Sequence, residues 1–279
     1  MTDVLYAAFG PAPAASLAAA CLYANVTAST ATLAVALARP PARKVFGAEA
    51  AYALWVVPPI VAFLTLLAVM VPVDSDRYST AAATAIRWPA LGPAAIVWAV
   101  GAIAMAVAFA VAQHRFMAQV RAGRGGPAVV GLIWPRIVLP ADDDGYTAEE
   151  RDLIRAHERA HVARRDPRAA ALVSLAQCVC WFNPVMHLGA YLLRLDQEVA
   201  CDAAVTMRRP WARALYARTL LKTQLGGAPL PFACCLRPWG QHPLEVRIAL
   251  LKRRTGPASS APRPTGASIV SAGVDVIRP

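Results

Sequence analysis

The stretch AAALVSLAQCVCWFNPVMHLGAYLL, residues 169–193, holds no Asp, Glu, Lys or Arg. By length it is able to cross a bilayer, and whether it does so decides the fold. His157-Glu-Arg-Ala-His161 lies upstream of it and Asp196-Gln-Glu198-Val-Ala-Cys-Asp202 downstream. A straight helix of that length measures about 37 Å at 1.5 Å per residue. It would leave Glu198 across the membrane from the two histidines. Asn183-Pro184, in the middle, predicts instead two antiparallel helices, about 167–181 and 185–206, joined at Trp181-Phe-Asn-Pro184. These form the wall of a water-facing domain or dip partly into the membrane. Either way they return Glu198 to His157 and His161.

That return matters because of what the flanking residues can do. Thr147-Ala-Glu-Glu150 is a capping-box pattern that opens a helix running from Ala148 to about Arg165. On it His157 and His161 stand at i and i+4, one turn apart on one face, where two imidazoles can share a metal. Glu158 lies beside them, placed to take a proton from water. The five-letter pattern also arises by chance, and two histidines on an amphipathic helix are often merely solvated. Zinc hydrolysis needs a third protein ligand and groups that orient the ligands. Glu198 is the expected third ligand. Asp202, one turn on, is placed to accept a hydrogen bond from a ligand histidine's free ring nitrogen. An ordinary solvated face is the alternative, but Leu195, Val199, Ala200, Ala203 and Ala204 make an apolar setting for it. Asp166-Pro167 ends the helix, with Asp166 expected as the N-cap of the next and Pro167 at its first position.

The 279-residue chain is 57% hydrophobic and only 16% charged, with mean hydropathy +0.44, against about 25% charged in soluble domains. This argues against a wholly soluble protein and against a mainly disordered one. Residues 1–112 carry five basic and four acidic side chains, and the rest carry 23 and 13. Transmembrane spans are expected near 14–37, 50–73 and 89–112, with Gly10, Pro11 and Pro13 breaking the start of the first. Pro40-Pro41 and a loop at Asp74 and Asp76 separate them, and Pro58-Pro59 marks a kink. Arg39, Arg43 and Lys44 follow the first span; His114, Arg115, Arg121 and Arg124 follow the third. The positive-inside rule then puts the region after 113 in the cytoplasm and the N-terminus outside. Met-Thr-Asp has no basic n-region, so no cleaved signal peptide is expected. The division is a membrane region, 1–113, a catalytic domain, 114–254, and a disordered Pro/Ser/Gly/Ala-rich tail, 255–279. The net charge of +11 and pI near 9.9 are read as basic residues facing anionic lipid. Of the six cysteines, Cys21 lies in a span. Cys178, Cys180, Cys201, Cys234 and Cys235 lack zinc-ribbon spacing and read as buried small hydrophobes.

The order of these motifs resembles the BlaR/MecR family of integral-membrane zinc metallopeptidases, related to HtpX-type and CAAX-processing proteases. The matching residues are Val130-Gly131 through Pro140, His157 to His161 with Arg164-Arg-Asp166, Trp181-Phe-Asn-Pro184, Glu198 to Asp202, and His242-Pro-Leu-Glu-Val-Arg247. They span roughly residues 128–252. The resemblance implies a mainly α, polytopic membrane protein with three N-terminal transmembrane helices and a cytosolic zincin-like (gluzincin) domain. Ala128–Leu132 and Arg136–Leu139 read as short strands around Trp134-Pro135, either a covering hairpin or an edge that pairs with extended substrate. His242 is either a surface cap or, by resemblance to membrane gluzincins, a side chain that steadies the oxyanion. The best-known members carry an extracellular penicillin-binding sensor. About 25 polar or small residues stand at the end here, so sensing through that domain is not expected.

The implied function is a zinc endopeptidase acting on a cytoplasmic transcriptional repressor, on its own loops, or on a membrane-associated protein. An HtpX-like quality-control protease shares the chemistry and differs in substrate. A non-catalytic receptor or scaffold belongs to another class, and the intact Glu158 argues against it. No direct nucleic-acid binding is expected: Arg164-Arg165, Arg208-Arg209 and Lys252-Arg253-Arg254 are dispersed and no recognition-helix motif accompanies them.

Overall fold

The computed structural model describes residues 11–70, 91–123, 125–139, 145–226 and 243–253. Its first element, α1, runs Pro11–Phe46 straight through Pro40 and Pro41. The expected break at those prolines is therefore corrected. They remove donors to the carbonyls of Ala36 and Leu37 without ending the helix. The chain turns instead at Gly47, whose φ of 94° is left to glycine on steric grounds. Next come α2 (Ala48–Ala53), a 3₁₀ turn (Leu54–Val56) and α3 (Val57–Met70). Pro58 and Pro59 thus fall in the first turn of α3, where backbone N–H groups have no helical acceptor to lose. The 3₁₀ turn takes up the change of direction. α1 packs along α2 and α3, and Thr27 and Thr65 hydroxyls meet between them at 3.0 Å.

α4 spans Leu91–Arg121, several turns beyond the expected end of the third apolar run. Three helical stretches, Ala20–Phe46, Ala48–Val69 and Pro93–Arg121, are long and apolar enough to cross a membrane. Ile96, Val97, Val100, Ile103 and Val107 are all exposed along α4, which suits hydrocarbon rather than water. Parts of the second and third expected spans, and the loop with Asp74 and Asp76, lie outside the described residues.

A two-stranded antiparallel hairpin follows, β1 (Ala128–Val130) and β2 (Arg136–Val138), with Val129 opposite Ile137. Gly131, φ 104°, makes its turn; a Cβ there would run into the Trp134 carbonyl. The hairpin packs on α5 (Ala148–Arg164). α5 begins with the expected capping box: Glu150 N–H donates to Thr147 Oγ1 at 3.2 Å, and Thr147 N–H to Glu150 Oε2 at 2.8 Å. Arg165, with φ 60°, breaks the chain before α6 (Asp166–Val179). Asp166 is not the N-cap; it is the first helical residue, and its carboxylate is taken by other partners described below.

α6 and α7 (Pro184–Arg208) form the helical hairpin, and the 25-residue apolar stretch does not run as one span. Asn183 caps α7 by accepting from Val185 N–H at 2.9 Å. Its amide also donates to Asn25 Oδ1 at 3.0 Å and Ser29 Oγ at 2.7 Å on α1. Trp98 on α4 donates to the Val179 carbonyl at 2.8 Å, and Trp181 to the Trp98 carbonyl at 3.1 Å. Midway along α7, Asp196 pairs with Arg39 at 3.0 Å. Asn25 and Arg39 are about 21 Å apart along α1, so the hairpin lies lengthwise against the apolar helices, its tip far from its base. Its outer face shows Leu172 and Leu175, 68% and 62% exposed, with Val179 and Phe182.

α8 (Arg213–Gly226) and α9 (Pro243–Arg253) complete the described elements. Leu153, Val205, Tyr216, Leu220 and Leu251 form the core that joins α5, α7, α8 and α9. Val35, Trp55 and Leu193 join α7 to the membrane-type helices.

Candidate metal centre

α5 projects His157 and His161 from one face, with their Nε2 atoms 3.2 Å apart. His161 Nδ1 stands 2.7 Å from Asp166 Oδ2. A carboxylate only accepts, so Nδ1 carries a proton, and in the neutral ring Nε2 then keeps its lone pair. His157 Nδ1 stands 2.7 Å from the Tyr216 hydroxyl. That hydroxyl donates to Asp202 Oδ1 at 2.6 Å, and so accepts from His157. The second Nε2 lone pair is thereby also free. Two lone pairs this close repel unless a cation lies between them, so the donor set fits a metal ion.

Glu198 faces the pair from α7. One carboxylate oxygen is 3.4 Å from His157 Nε2 and the other 3.4 Å from His161 Nε2. At 26% its side chain is more exposed than either imidazole. Asp202, one turn on, also lies 3.4 Å from His157 Nδ1. Glu158 is buried next to the pair, and among the described residues no hydrogen bond holds its carboxylate. His242 lies outside the described residues.

Several residues here were not assigned a role from sequence. Arg247 clamps Asp202 with two bonds of 2.8 Å and reaches Glu198 Oε2 with a third at 2.8 Å. Arg164 donates to Asp166 Oδ2 at 2.8 Å, to the Gln197 carbonyl at 3.2 Å and to Cys201 Sγ at 2.7 Å. Tyr52, on α2, donates to Asp166 Oδ1 at 3.0 Å and accepts from Gln197 at 3.2 Å. Cys201 is no mere small hydrophobe: a ligand atom from each of His157, His161 and Cys201 lies within 4.8 Å of the others. Its sulfur is engaged by Arg164, whereas Glu198 offers one oxygen to each ring. The other cysteines differ as well. Cys21 is exposed, Cys178 and Cys180 are half-buried, and Cys180 accepts from Asn25. Cys234 and Cys235 are outside the described residues.

The charges follow this packing. Burial disfavours a charged His157, but Cys201, Asp202 and Glu198 outweigh it and push its pKa up to about 10. Burial works the same way on His161, and Asp166, Cys201 and Glu198 raise it well above the usual histidine value. For Asp202, burial is overcome by Arg247 and His157, which bring it down to about 2. Glu198 is likewise held well below the carboxylate range, against burial, by Arg247 and the imidazoles. Burial pushes Glu158 up, against the pull of the two histidines. The site thus favours positive charge at the ring nitrogens, supplied by a proton on Nε2 or by a metal ion that would displace it.

Residues 119–251 match the family model described as BlaR1 peptidase M56. The matched stretch is just under half of the chain. "Regulatory protein BlaR1" of Bacillus licheniformis is 33% identical over 79 residues, 28% of this chain and 13% of the relative. The chain therefore covers a small part of that relative's length. No solved structure matches. The matched stretch begins at the end of α4 and contains His157, Glu158, His161, Glu198 and Asp202. Tyr52, Arg39 and Trp55, which brace its α6 and α7, lie outside it.

Proposed function

We propose that the chain is a multi-pass membrane zinc endopeptidase, with its M56 domain in the cytoplasm and its N-terminus outside. The observation that carries the chemistry is the commitment of both Nδ1 atoms to acceptors, which turns both Nε2 atoms toward each other and toward Glu198. His157, His161 and Glu198 would hold the zinc, and Asp202 would orient His157 through Tyr216. Bound there, zinc supplies Lewis acidity for water and for a peptide carbonyl. Glu158 takes the proton of the attacking water and passes it to the amine as the C–N bond breaks. His242 is the proposed oxyanion donor, and the β1–β2 hairpin on α5 is the proposed edge for an extended substrate. Arg39, Arg43 and Lys44 after the first span, and Arg115 and Arg121 late in α4, support the orientation. The name of the Bacillus relative supports a regulatory role: cleavage of a cytoplasmic repressor or of a membrane-associated protein.

Glu158→Gln tests the reading, with self-cleavage of purified protein in detergent or liposomes as the first assay. Zinc content and folding should hold, while cleavage falls by about 10²–10⁴-fold. A chelator should silence the wild type. Equal cleavage by wild type and variant, under conditions where the wild type cuts, would remove Glu158 from the mechanism.

A further inference from the structure

A cavity of about 590 Å³ lies between the end of α1 and the C-terminal half of α7 with Arg213, Arg247, Leu250 and Leu251. That volume is within the range of small-molecule sites, about 300–1,000 Å³. One wall is the α1–α2 elbow, Arg43 to Ala48, and the other is α7 with Arg213, Arg247 and Leu251. Four cations line it and one carboxylate, Asp202, which Arg247 already neutralises with two bonds of 2.8 Å. Arg43 leans toward Asp196 at 3.5 Å. Lys44 is exposed and makes no hydrogen bond or ion pair with another described residue. Without counting Arg213, Lys44 leaves the lining with a positive surplus.

The elbow also fixes where the cavity opens. Ala20–Phe46 and Ala48–Val69, both long and apolar enough to cross a membrane, are separated only by Gly47. Two crossing helices joined by one residue must turn at a bilayer surface. Phe46, 76% exposed, and Val45 stand there beside Lys44. A cationic hollow with an apolar rim at headgroup depth matches one ligand class, an anionic amphiphile. We propose that this cavity binds the phosphate headgroup of an anionic phospholipid. Arg43 and Lys44 face the phosphate, and Val45 and Phe46 flank the start of the acyl chains. A free phosphate ion shares the charge chemistry but makes no use of the apolar rim. The lipid would rest against the outer side of the Asp202–Arg247 pair that braces the metal site.

Native mass spectrometry of the full chain in detergent tests this, with phosphatidylglycerol, phosphatidylcholine and inorganic phosphate as probes. One phosphatidylglycerol should be retained at least about fivefold more tightly than phosphatidylcholine. Lys44→Gln removes an exposed cation, and Ala203→Leu fills the cavity without changing charge. Each should weaken phosphatidylglycerol binding by about fivefold, with zinc content and circular dichroism showing that the variants fold. Arg115→Gln, an exposed cation on α4, should change nothing. Equal retention of the two lipids, or an equal loss from Arg115→Gln, would overturn the site in favour of diffuse charge attraction. Inorganic phosphate that binds and displaces phosphatidylglycerol would overturn the lipid assignment.

Discussion

Arg247 grips Asp202 with two parallel bonds, Nε to Oδ2 and Nη2 to Oδ1, both 2.8 Å. Both side chains are buried, and the third arm of the same guanidinium reaches Glu198. Arg247→Ala therefore leaves two inward carboxylates without their cation and should cost about 3–5 kcal/mol, the usual penalty for breaking a buried pair. Arg247→Lys keeps the charge but loses the fork, and should fall between the two. Thermal unfolding in one detergent measures both. An Arg247→Ala protein as stable as wild type would show that the pair is dispensable.

Tyr216 links Asp202 to His157 through one hydroxyl. Tyr216→Phe removes that atom and leaves the ring in the Leu153–Val205–Leu251 core. Zinc affinity should fall by about 10–100-fold, the scale seen when a group orienting a ligand is lost, while helix content is retained. Competition with a chromophoric chelator gives the affinity. Unchanged affinity would mean that Asp202, 3.4 Å from His157 Nδ1, orients the ring alone.

These two residues also mark what the sequence could convey. The hairpin at Asn183-Pro184 and the start of α5 at Thr147 are legible because an N-cap, a proline and a capping box are local patterns. The His157, His161 and Glu198 positions follow from helical spacing and from the need for a third donor. Tyr216, Arg247 and Tyr52 are single residues on α8, α9 and α2, and no periodicity ties them to a site built on α5 and α7. Asp166 misled for a related reason: Asp-Pro is a local capping signal, but His161, Arg164 and Tyr52 compete for the same carboxylate. Pro40-Pro41 suggested a loop because proline breaks helices in water. In α1 the packing against α2 and α3 carries the helix through to Gly47.

Glu150 gives α5 an acid-sensitive start. The Thr147 backbone N–H lowers its pKa, against some burial, and Lys222 at 3.0 Å adds to the effect. A carboxylate with a depressed folded-state pKa contributes stability above its unfolded value, about 4.3. That contribution is lost as pH falls through the lower folded value. Amide protection factors at Ala148–Arg151, each normalised to the intrinsic exchange rate at that pH, should therefore fall below about pH 4, in step with Glu150 protonation. Glu150→Ala should show fast exchange there at neutral pH, at a cost of about 0.5–2 kcal/mol in local stability. Protection factors that stay flat from about pH 6 to 3 would remove the capping box from the account.

Topology can be read independently of chemistry. A reporter after Gly125 or after Thr255 should read cytoplasmic, and one near Ser79 external. The first two must agree, because α6 and α7 turn at Trp181–Asn183 and make no net crossing. Opposite readings at Gly125 and Thr255 would mean an odd number of crossings between them, and a single zinc would no longer reach His157, His161 and Glu198 together.

Asp196 ties α7 to the membrane-type helices. It is 1% exposed and accepts from Trp55 at 2.8 Å, Arg39 at 3.0 Å and Arg43 at 3.5 Å. Asp196→Asn keeps an acceptor for Trp55 and removes only the charge, leaving two guanidiniums facing a neutral amide. A loss of about 3–5 kcal/mol is expected for the uncompensated charge. Adding Arg39→Gln should restore part of it, with a coupling of about 0.5–3 kcal/mol in a double-mutant cycle. Zinc content should move in the same order, because Asp196 fixes the turn of α7 that presents Glu198. Thermal unfolding and metal analysis on the four proteins supply both numbers. Strictly additive single and double variants would show that Arg39 and Asp196 are neighbours without energetic coupling. The α1–α7 contact would then rest on Trp55, Val35 and Leu193 alone.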